Sequence, residues 1–241
     1  MNFFNKVTAH LFLLTLAISA SGCSSNFTDA INSALEARTI NKGLPITAEY
    51  VNSLPYASAI VKLNDRAPIL IILSSAEYIN SKYSYSLTWL SSDKAAIVTE
   101  NGRIVKTIGL TGNNLEQLFT QNHNGPPTPG TSKSWHAIYD WSPGYRYNFT
   151  ADIQSKTHGS EQISTELWTE QTEHTSEIVF FESLNTSFTN HFWKVPQQGS
   201  YKSYIIKTTQ YIGPNMDKIE MLFIKPFLEP ISATENREAT Q

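Results

Sequence analysis

The feature that most constrains the fold is a series of short segments in which apolar and polar residues alternate, each followed by turn residues. Tyr83–Trp89 alternates without a break, as a strand with one buried face does. Asn101-Gly102 separates two β-prone runs and favours a type I′ hairpin, because both central residues of that turn need positive φ. Such segments recur at intervals of roughly ten residues. With few long helices between them, they predict an antiparallel β-sandwich or barrel.

The other strand candidates extend along most of the chain. Ile69–Leu73 is apolar throughout, which favours a strand that is covered on both faces. Tyr145–Ile153 alternates cleanly and favours one buried face. The remaining candidates are residues 59–63, 95–99, 103–110, 163–169, 177–181, 187–195, 203–209 and 218–224.

Three short helices are predicted beside these strands. Residues 27–35 carry an apolar stripe at helical spacing. Thr47 is placed to cap a helical turn that ends near Leu54, because Pro55 disfavours helical geometry at the residue before it. Asn114 is placed to cap a third helix, in which Gln117 completes a capping box.

A Pro- and Gly-rich stretch, residues 121–134, interrupts the strand pattern. It either divides two domains or crosses between sheets of one domain. We expect one continuous β-rich unit over residues 23–230. Residues 231–241 are polar and are expected to form a flexible tail.

The N-terminus has the pattern of a bacterial export signal, residues 1–22. Lys6 precedes the apolar run Leu11–Ile18, which is shorter than the about 20 residues that a membrane-spanning helix needs. Ala20-Ser21-Gly22-Cys23 resembles a lipobox, which predicts a diacylglycerol on the Cys23 thiol and a further acyl chain, such as palmitate, on its amine. A chance Cys beside a conventional cleavage site is the alternative. Ser24, rather than Asp, indicates the periplasmic side of the outer membrane.

Composition and spacing exclude several function classes. The formal net charge of −3 gives no reason to expect a nucleic-acid partner, and one Cys cannot form an internal disulfide. The six histidines show no zinc-ligand spacing, and the sequence has no phosphate-binding or dinucleotide motif. We therefore expect no metal and no cofactor. The histidines are His10, His123, His136, His158, His174 and His191.

One group of residues is a candidate glycan platform, because aromatic faces stack on sugar rings while Asp and Arg bind hydroxyls. The group consists of Asp140, Trp141, Tyr145, Arg146 and Tyr147. The alternative interpretation is that Tyr145, Tyr147 and Phe149 form the inward face of a strand that follows a turn.

Two further sets of charged residues have both a functional and a structural interpretation. Glu161, Glu166 and Glu170 could supply the paired carboxylates of a glycan hydrolase, but their polar neighbours favour ordinary surface acids. Arg103 and Lys106 are candidates for contact with an acidic polysaccharide or a protein. Their alternative role is edge-strand charge that prevents unwanted sheet pairing, and we favour it.

Three stretches in this order resemble the YjbF/GfcB family of bacterial outer-membrane lipoproteins. They are Leu54–Ser58, Trp89–Leu110 and Asp140–Tyr147. The resemblance implies a mainly β fold, a strongly curved antiparallel sheet partly closed into a barrel-like shape around short helices. It also implies a role in capsule or exopolysaccharide production, and it supplies no catalytic residues.

The expected function is therefore that of a non-enzymatic lipoprotein of the outer membrane, attached through Cys23. It would assist polysaccharide export or assembly through contacts with other export proteins or with the polysaccharide. Two alternatives remain open at this point: a carrier of a hydrophobic molecule inside the curved sheet, motivated by the abundant aromatic residues, and a glycan hydrolase.

Overall fold

The computed structural model describes residues 47–79, 84–122, 125–144, 146–165 and 167–230. One α-helix, α1 (Ala48–Ser53), precedes twelve strands, and a 3-10 turn covers Glu182–Leu184. The strands are β1 (Ser58–Leu63), β2 (Ile69–Ile79), β3 (Ser84–Leu90), β4 (Ala96–Glu100), β5 (Arg103–Ile108), β6 (Asn114–Thr120), β7 (Ser134–Ser142), β8 (Arg146–Ser164), β9 (Thr169–Phe181), β10 (Thr186–Val195), β11 (Tyr204–Tyr211) and β12 (Lys218–Lys225).

All twelve strands belong to one antiparallel sheet, which is nearly closed into a barrel. The strand order is β5-β4-β3-β2-β1-β12-β11-β10-β9-β8-β7-β6, so β5 and β6 are its two edges. Side chains join these edges. The Leu115 amide donates to Thr107 Oγ1 over 2.9 Å, and Asn114 Oδ1 accepts from the Leu110 amide over 3.0 Å. The predicted mainly β, barrel-like fold is confirmed.

The core fills the inside of this curved sheet, and every strand contributes to it. Neighbouring residues of a strand point to opposite faces, so one face of each strand is available for this core. Among the largest fully buried side chains are Trp89, Tyr139, Trp141, Phe181 and Phe192. Large aromatic rings therefore occupy the interior.

Helix α1 lies on the outer face of the sheet. Its buried residue, Val51, packs with Ile60 of β1 and with Leu222 and Ile224 of β12. The expectation that the sheet closes around short helices is therefore wrong for α1, since side chains fill the interior instead. The predicted Thr47 cap is confirmed, because its hydroxyl accepts from the Tyr50 amide. No helix within the described residues is long and apolar enough to cross a membrane.

The β8–β9 hairpin is the longest in the sheet and covers part of the outer surface. Its register shifts between residues 157 and 159. Beyond this shift, Ile163 packs against Trp193 and Val195 of β10 and against Ile206 of β11. A second apolar cluster therefore lies outside the sheet, between the far half of this hairpin and the β10–β11 pair.

The predicted Asn-Gly hairpin is confirmed. Asn101 and Gly102 have φ of 49° and 75° and join β4 to β5. A Cβ on Gly102 would lie 2.5 Å from Ile205 Cβ of β11. Position 102 therefore requires glycine for two reasons: its positive φ and its close contact with β11.

The helix predicted at Asn114 is wrong, because this segment is strand β6. A bulge between Leu115 and Gln117 shifts the register. As a result the buried residues Leu115, Leu118 and Phe119 fall at helical spacing although they lie on a strand. The Asn114 side chain binds the main chain of Leu110 instead of capping a helix.

The expectation of full cover for Ile69–Leu73 is only partly correct. Ile71 is buried in the core, but Ile72 on the outer face is 38% exposed.

The Pro- and Gly-rich stretch joins β6 to β7, which are neighbours in the same sheet. Residues 1–46, which include the signal, Cys23 and the first predicted helix, and the tail 231–241 lie outside the described residues.

Candidate functional site

The residues of the predicted glycan platform occupy different environments. Trp141 is 1% exposed, and its indole N–H donates to the Ile212 carbonyl over 2.6 Å. Tyr147, by contrast, is 52% exposed. Tyr145 lies outside the described residues. Trp141 therefore supports the structure from within, whereas Tyr147 is open to solvent.

The polar members of this group bind main-chain atoms near the β7–β8 turn. Asp140 Oδ1 accepts from the Asn148 amide over 2.7 Å, and Arg146 Nε donates to the Pro143 carbonyl over 3.0 Å. Asn148 has a φ of 61°, which interrupts the alternation of the strand. Tyr147 is exposed, whereas Phe149 packs against the core beside Trp141, so the inward face of the alternative interpretation is correct for Phe149 and wrong for Tyr147. Glycan contact by the exposed members stays a prediction.

Arg103 has neither of the roles predicted for it, because it lies inside the molecule. Its Nη1 and Nη2 contact the two carboxylate oxygens of Glu177 at 2.5 and 2.8 Å, and both side chains are 1% exposed. The guanidinium also lies 5.0 Å from the ring centroids of Trp135 and Phe192. Ser155 Oγ donates to Glu177 Oε1 over 3.1 Å. The sequence at Arg103 alone gives no sign of its partner on β9.

Lys106 lies on edge strand β5, as the favoured interpretation requires. Its Nζ is 3.8 Å from Glu116 Oε2 of the other edge strand.

Two of the glutamates that were candidates for a glycan hydrolase contact other side chains of the protein. Glu161 Oε2 accepts from Trp193 Nε1 over 2.8 Å, and Glu170 lies 3.4 Å from Gln198 Nε2. Glu166 lies outside the described residues.

Three histidines on β8, β9 and β10 form a row of stacked rings. The ring centroids of His158 and His174 are 4.7 Å apart, and those of His174 and His191 are 5.2 Å apart. The Trp193 ring continues the stack, 4.6 Å from His174 and inclined by 4°. His174 Nε2 and His191 Nδ1 are 3.0 Å apart and share a hydrogen bond.

His174 and His191 of this row have pKa values below that of free histidine. Burial, helped by the nearby His191, lowers the pKa of His174 from 6.5 to about 4. Burial also lowers the pKa of His191. At neutral pH the two rings are therefore uncharged. Within the described residues, no group of three or more His, Cys, Asp or Glu is arranged to hold a metal ion.

An open groove of about 580 Å³ lies beside this row, on β10, β11 and the β11–β12 turn. We call it the β10–β12 groove. Its lining is rich in hydroxyl groups and includes two aromatic rings. The lining residues are Ser187, Phe188, Thr189, His191, Thr209, Tyr211, Gly213, Asn215, Met216 and Lys218. No Asp or Glu is among them.

Trp141 lies beneath one end of the β10–β12 groove. A Cβ on Gly213 would lie 2.8 Å from the Trp141 ring and 2.7 Å from Met216 Sδ. The turn is also closed by a hydrogen bond of 3.2 Å from the Met216 amide to the Gly213 carbonyl. Trp141, a member of the predicted glycan platform, thus supports the turn that forms the groove but does not line the groove.

A smaller pocket, partly open to solvent, lies near the β4–β5 turn. Its volume is about 80 Å³, and its lining includes Tyr85, Trp89, Phe223 and Phe227. Sequence reasoning missed this pocket, the groove and the histidine row. The three histidines share a face only because of the pairing of β8 with β9 and of β9 with β10, which the local sequence does not specify.

A family model that matches residues 24–224 bears the description group 4 capsule polysaccharide lipoprotein GfcB, YjbF. The chain belongs to this family. The matched region includes α1 and all but the last residue of the strands described above. It begins directly after Cys23. The predicted family is therefore confirmed, and with it the link to capsule polysaccharide that the family's description carries.

Two family relatives from Escherichia coli K12 match almost end to end. The uncharacterized lipoprotein GfcB is 23% identical over 228 residues, covering 90% of this chain and 98% of that protein. The uncharacterized lipoprotein YjbF is 24% identical over 220 residues, covering 88% of this chain and 96% of that protein. A membrane-anchored location in the cell envelope is consistent with these names.

A solved structure has the same fold. The crystal structure of the hypothetical lipoprotein YmcC from Escherichia coli K12 superposes with a TM-score of 0.61 and 22% sequence identity. The match covers 86% of this chain and 98% of that one. The nearly closed sheet is thus shared with an experimentally determined YmcC structure.

Proposed function

We propose that the protein is a lipoprotein of the outer membrane, attached through acyl chains on Cys23, that assists capsule or exopolysaccharide export or assembly through non-catalytic contacts. The observation that carries this proposal is the match of residues 24–224 to the capsule polysaccharide lipoprotein family. Acylation of the residue directly before that region would place the whole sheet at the membrane surface. Several acyl chains give stable anchoring, where one chain is marginal.

The arrangement of charged groups supports a non-catalytic role. The buried pair of Arg103 and Glu177 is enclosed by aromatic rings and is not accessible to a substrate. Glu161 is engaged by the Trp193 indole. Polar residues available to a partner lie instead on the outer surface, in the β10–β12 groove and at Tyr147. Surface contact therefore fits the geometry better than hydrolysis by paired acids.

The carrier alternative is less well supported. Ligand pockets usually have volumes of about 300–1,000 Å³. The pocket near the β4–β5 turn measures about 80 Å³, and aromatic side chains fill the neighbouring core. A lipid chain would have to displace several of these rings, and dense packing makes that costly.

Deletion of the gene and complementation test the proposal. We expect deletion to lower the amount of surface polysaccharide, and the wild-type gene to restore it. A Cys23→Ala variant should leave the outer-membrane fraction and fail to restore the polysaccharide. Cys23→Ser is a matched second variant, because it retains the size but not the thiol. Unchanged polysaccharide after deletion would contradict the function, and membrane association of both variants would contradict the anchor.

A further inference from the structure

We propose that the β10–β12 groove is a binding site for an uncharged stretch of a saccharide chain. This proposal rests on the proposed function and names the ligand class that one surface would take. The groove is the larger of the two concave sites described above, at about 580 Å³ against about 80 Å³. Its volume falls within the usual range of ligand sites.

The first argument is the supply of free hydroxyl groups. Thr189 and Thr209 are half-buried in the lining, and Ser187 is exposed at its rim. Among the described residues, no protein group forms a hydrogen bond with these three side-chain oxygens. A hydroxyl both donates and accepts, as a sugar hydroxyl does, so the two surfaces can pair in either direction. Asn215 adds an amide with the same dual capacity.

The second argument is the aromatic part of the lining. The Tyr211 and Phe188 rings pack together with centroids 5.7 Å apart and an interplanar angle of 39°. Tyr211 is half-buried, so part of it remains open to the groove. A partly exposed aromatic ring with a polar tip suits the mixed apolar and polar faces of a sugar ring.

The third argument is charge. Lys218 is the one residue of the lining with a permanent charge, and its Nζ contacts Glu220 Oε1 at 2.6 Å. This hydrogen bond raises the pKa of Lys218 and holds it as a neutralised ion pair. His191 is uncharged at neutral pH because burial lowers its pKa. The groove therefore offers hydrogen bonds without net charge, which favours a neutral saccharide over an anionic one.

The fourth argument is that the groove is already formed. Its floor is made by paired strands, with His191 opposite Thr209 across β10 and β11. Trp141 holds the β11–β12 turn from beneath through its bond to Ile212. Binding to such a surface costs little conformational entropy.

Isothermal titration calorimetry on the soluble domain, without its signal and Cys23, tests the site. The probes are short oligosaccharides released from the surface polysaccharide of the bacterium that makes the protein. The key variant is Thr189→Val with Thr209→Val, which removes two hydroxyls and keeps the shape and the strand preference of both residues. Thr88→Val, on the outer face of β3, is the matched control.

We expect the wild-type domain and the Thr88→Val control to bind equally, and the double variant to bind about tenfold more weakly. Affinity should change little between low and high salt, because an uncharged ligand is not screened. Equal binding by the double variant, a steep salt dependence, or no binding by the wild-type domain would each overturn the proposal. Thermal unfolding checks that all variants are folded.

The groove and the proposed function fail in different experiments. Suppose that deletion of the gene lowers surface polysaccharide but the double variant binds normally. The groove assignment is then wrong, and the function stands. Suppose instead that deletion has no effect while the domain binds through the groove. The binding site then stands, and the assigned role in polysaccharide production is wrong.

Discussion

The buried pair of Arg103 and Glu177 allows a prediction with a definite sign and size. Replacing one member of a buried ion pair costs about 3–5 kcal/mol, because the other charge stays buried without compensation. In Arg103→Met, Glu177 would keep only the Ser155 hydroxyl, 3.1 Å away, among the contacts described. We therefore expect Arg103→Met to lower the free energy of unfolding by about 4 kcal/mol, a large part of a typical total of about 5–15 kcal/mol.

The opposite variant should be milder. In Glu177→Leu, Arg103 retains the Pro127 carbonyl at 3.3 Å and the faces of Trp135 and Phe192. Desolvated cation–π contacts contribute up to about 2 kcal/mol each. We expect Glu177→Leu to cost about 2–3 kcal/mol, which is less than the loss of Arg103.

The double variant, Arg103→Met with Glu177→Leu, removes both charges and leaves two apolar side chains beside aromatic rings. We expect it to be more stable than either single variant. Urea unfolding followed by tryptophan fluorescence measures all four proteins of this double-mutant cycle. If the losses of the two single variants simply add in the double variant, or if Arg103→Met costs less than about 1 kcal/mol, the reasoning about an uncompensated charge is refuted.

Three further predictions follow from packing and titration. His174 has a folded pKa of about 4 against 6.5 unfolded, so the folded state binds fewer protons. Its contribution to the free energy of unfolding is complete above pH 6.5 and falls by about 1–2 kcal/mol as the pH drops towards 4, after allowing for partial solvent contact. Urea unfolding of His174→Asn between these pH values should show a weaker dependence of the free energy of unfolding on pH. Gly102→Ala should lower the melting temperature by several degrees in calorimetry, whereas Gly112→Ala, with no atom within 4 Å of the new Cβ, should lower it less. Trp141→Phe loses the hydrogen bond to Ile212 and should raise amide exchange in the β11–β12 turn, and unchanged exchange there would contradict the supporting role.

Local sequence patterns predict the elements of this fold better than its contacts. The Asn101-Gly102 hairpin follows from two adjacent residues, because the need for positive φ is a local property. The Thr47 cap is local in the same sense. At Asn114 the local pattern misleads, since a bulge gives buried strand residues a helical spacing. Bulges depend on the partner strand, which the segment itself does not specify.

The candidate site depends on long-range pairing and was therefore not predictable from local patterns. Arg103 binds a residue 74 positions away, and His174 lies beside His191 only because β9 pairs with β10. The groove combines residues of β10 and β11 with the β11–β12 turn. Trp141 is a candidate glycan contact in the sequence, but in the structure it is buried and supports the β11–β12 turn. The identity of a side chain indicates what it can bind, whereas the strand register determines which residues it contacts.

The junction between β5 and β6 has a mechanical consequence. Every other pair of neighbouring strands shares a main-chain ladder, whereas these two edges are joined by side chains such as Thr107 and Asn114. Parting these two edges would unpair no strand, but it would break the bonds that hold β5 to the opposite side of the sheet, from Arg103 to Glu177 of β9 and from the Ile104 amide to Gln210 of β11. Once parted, the two edges would present unpaired amides and carbonyls to which a strand from a neighbouring protein can add.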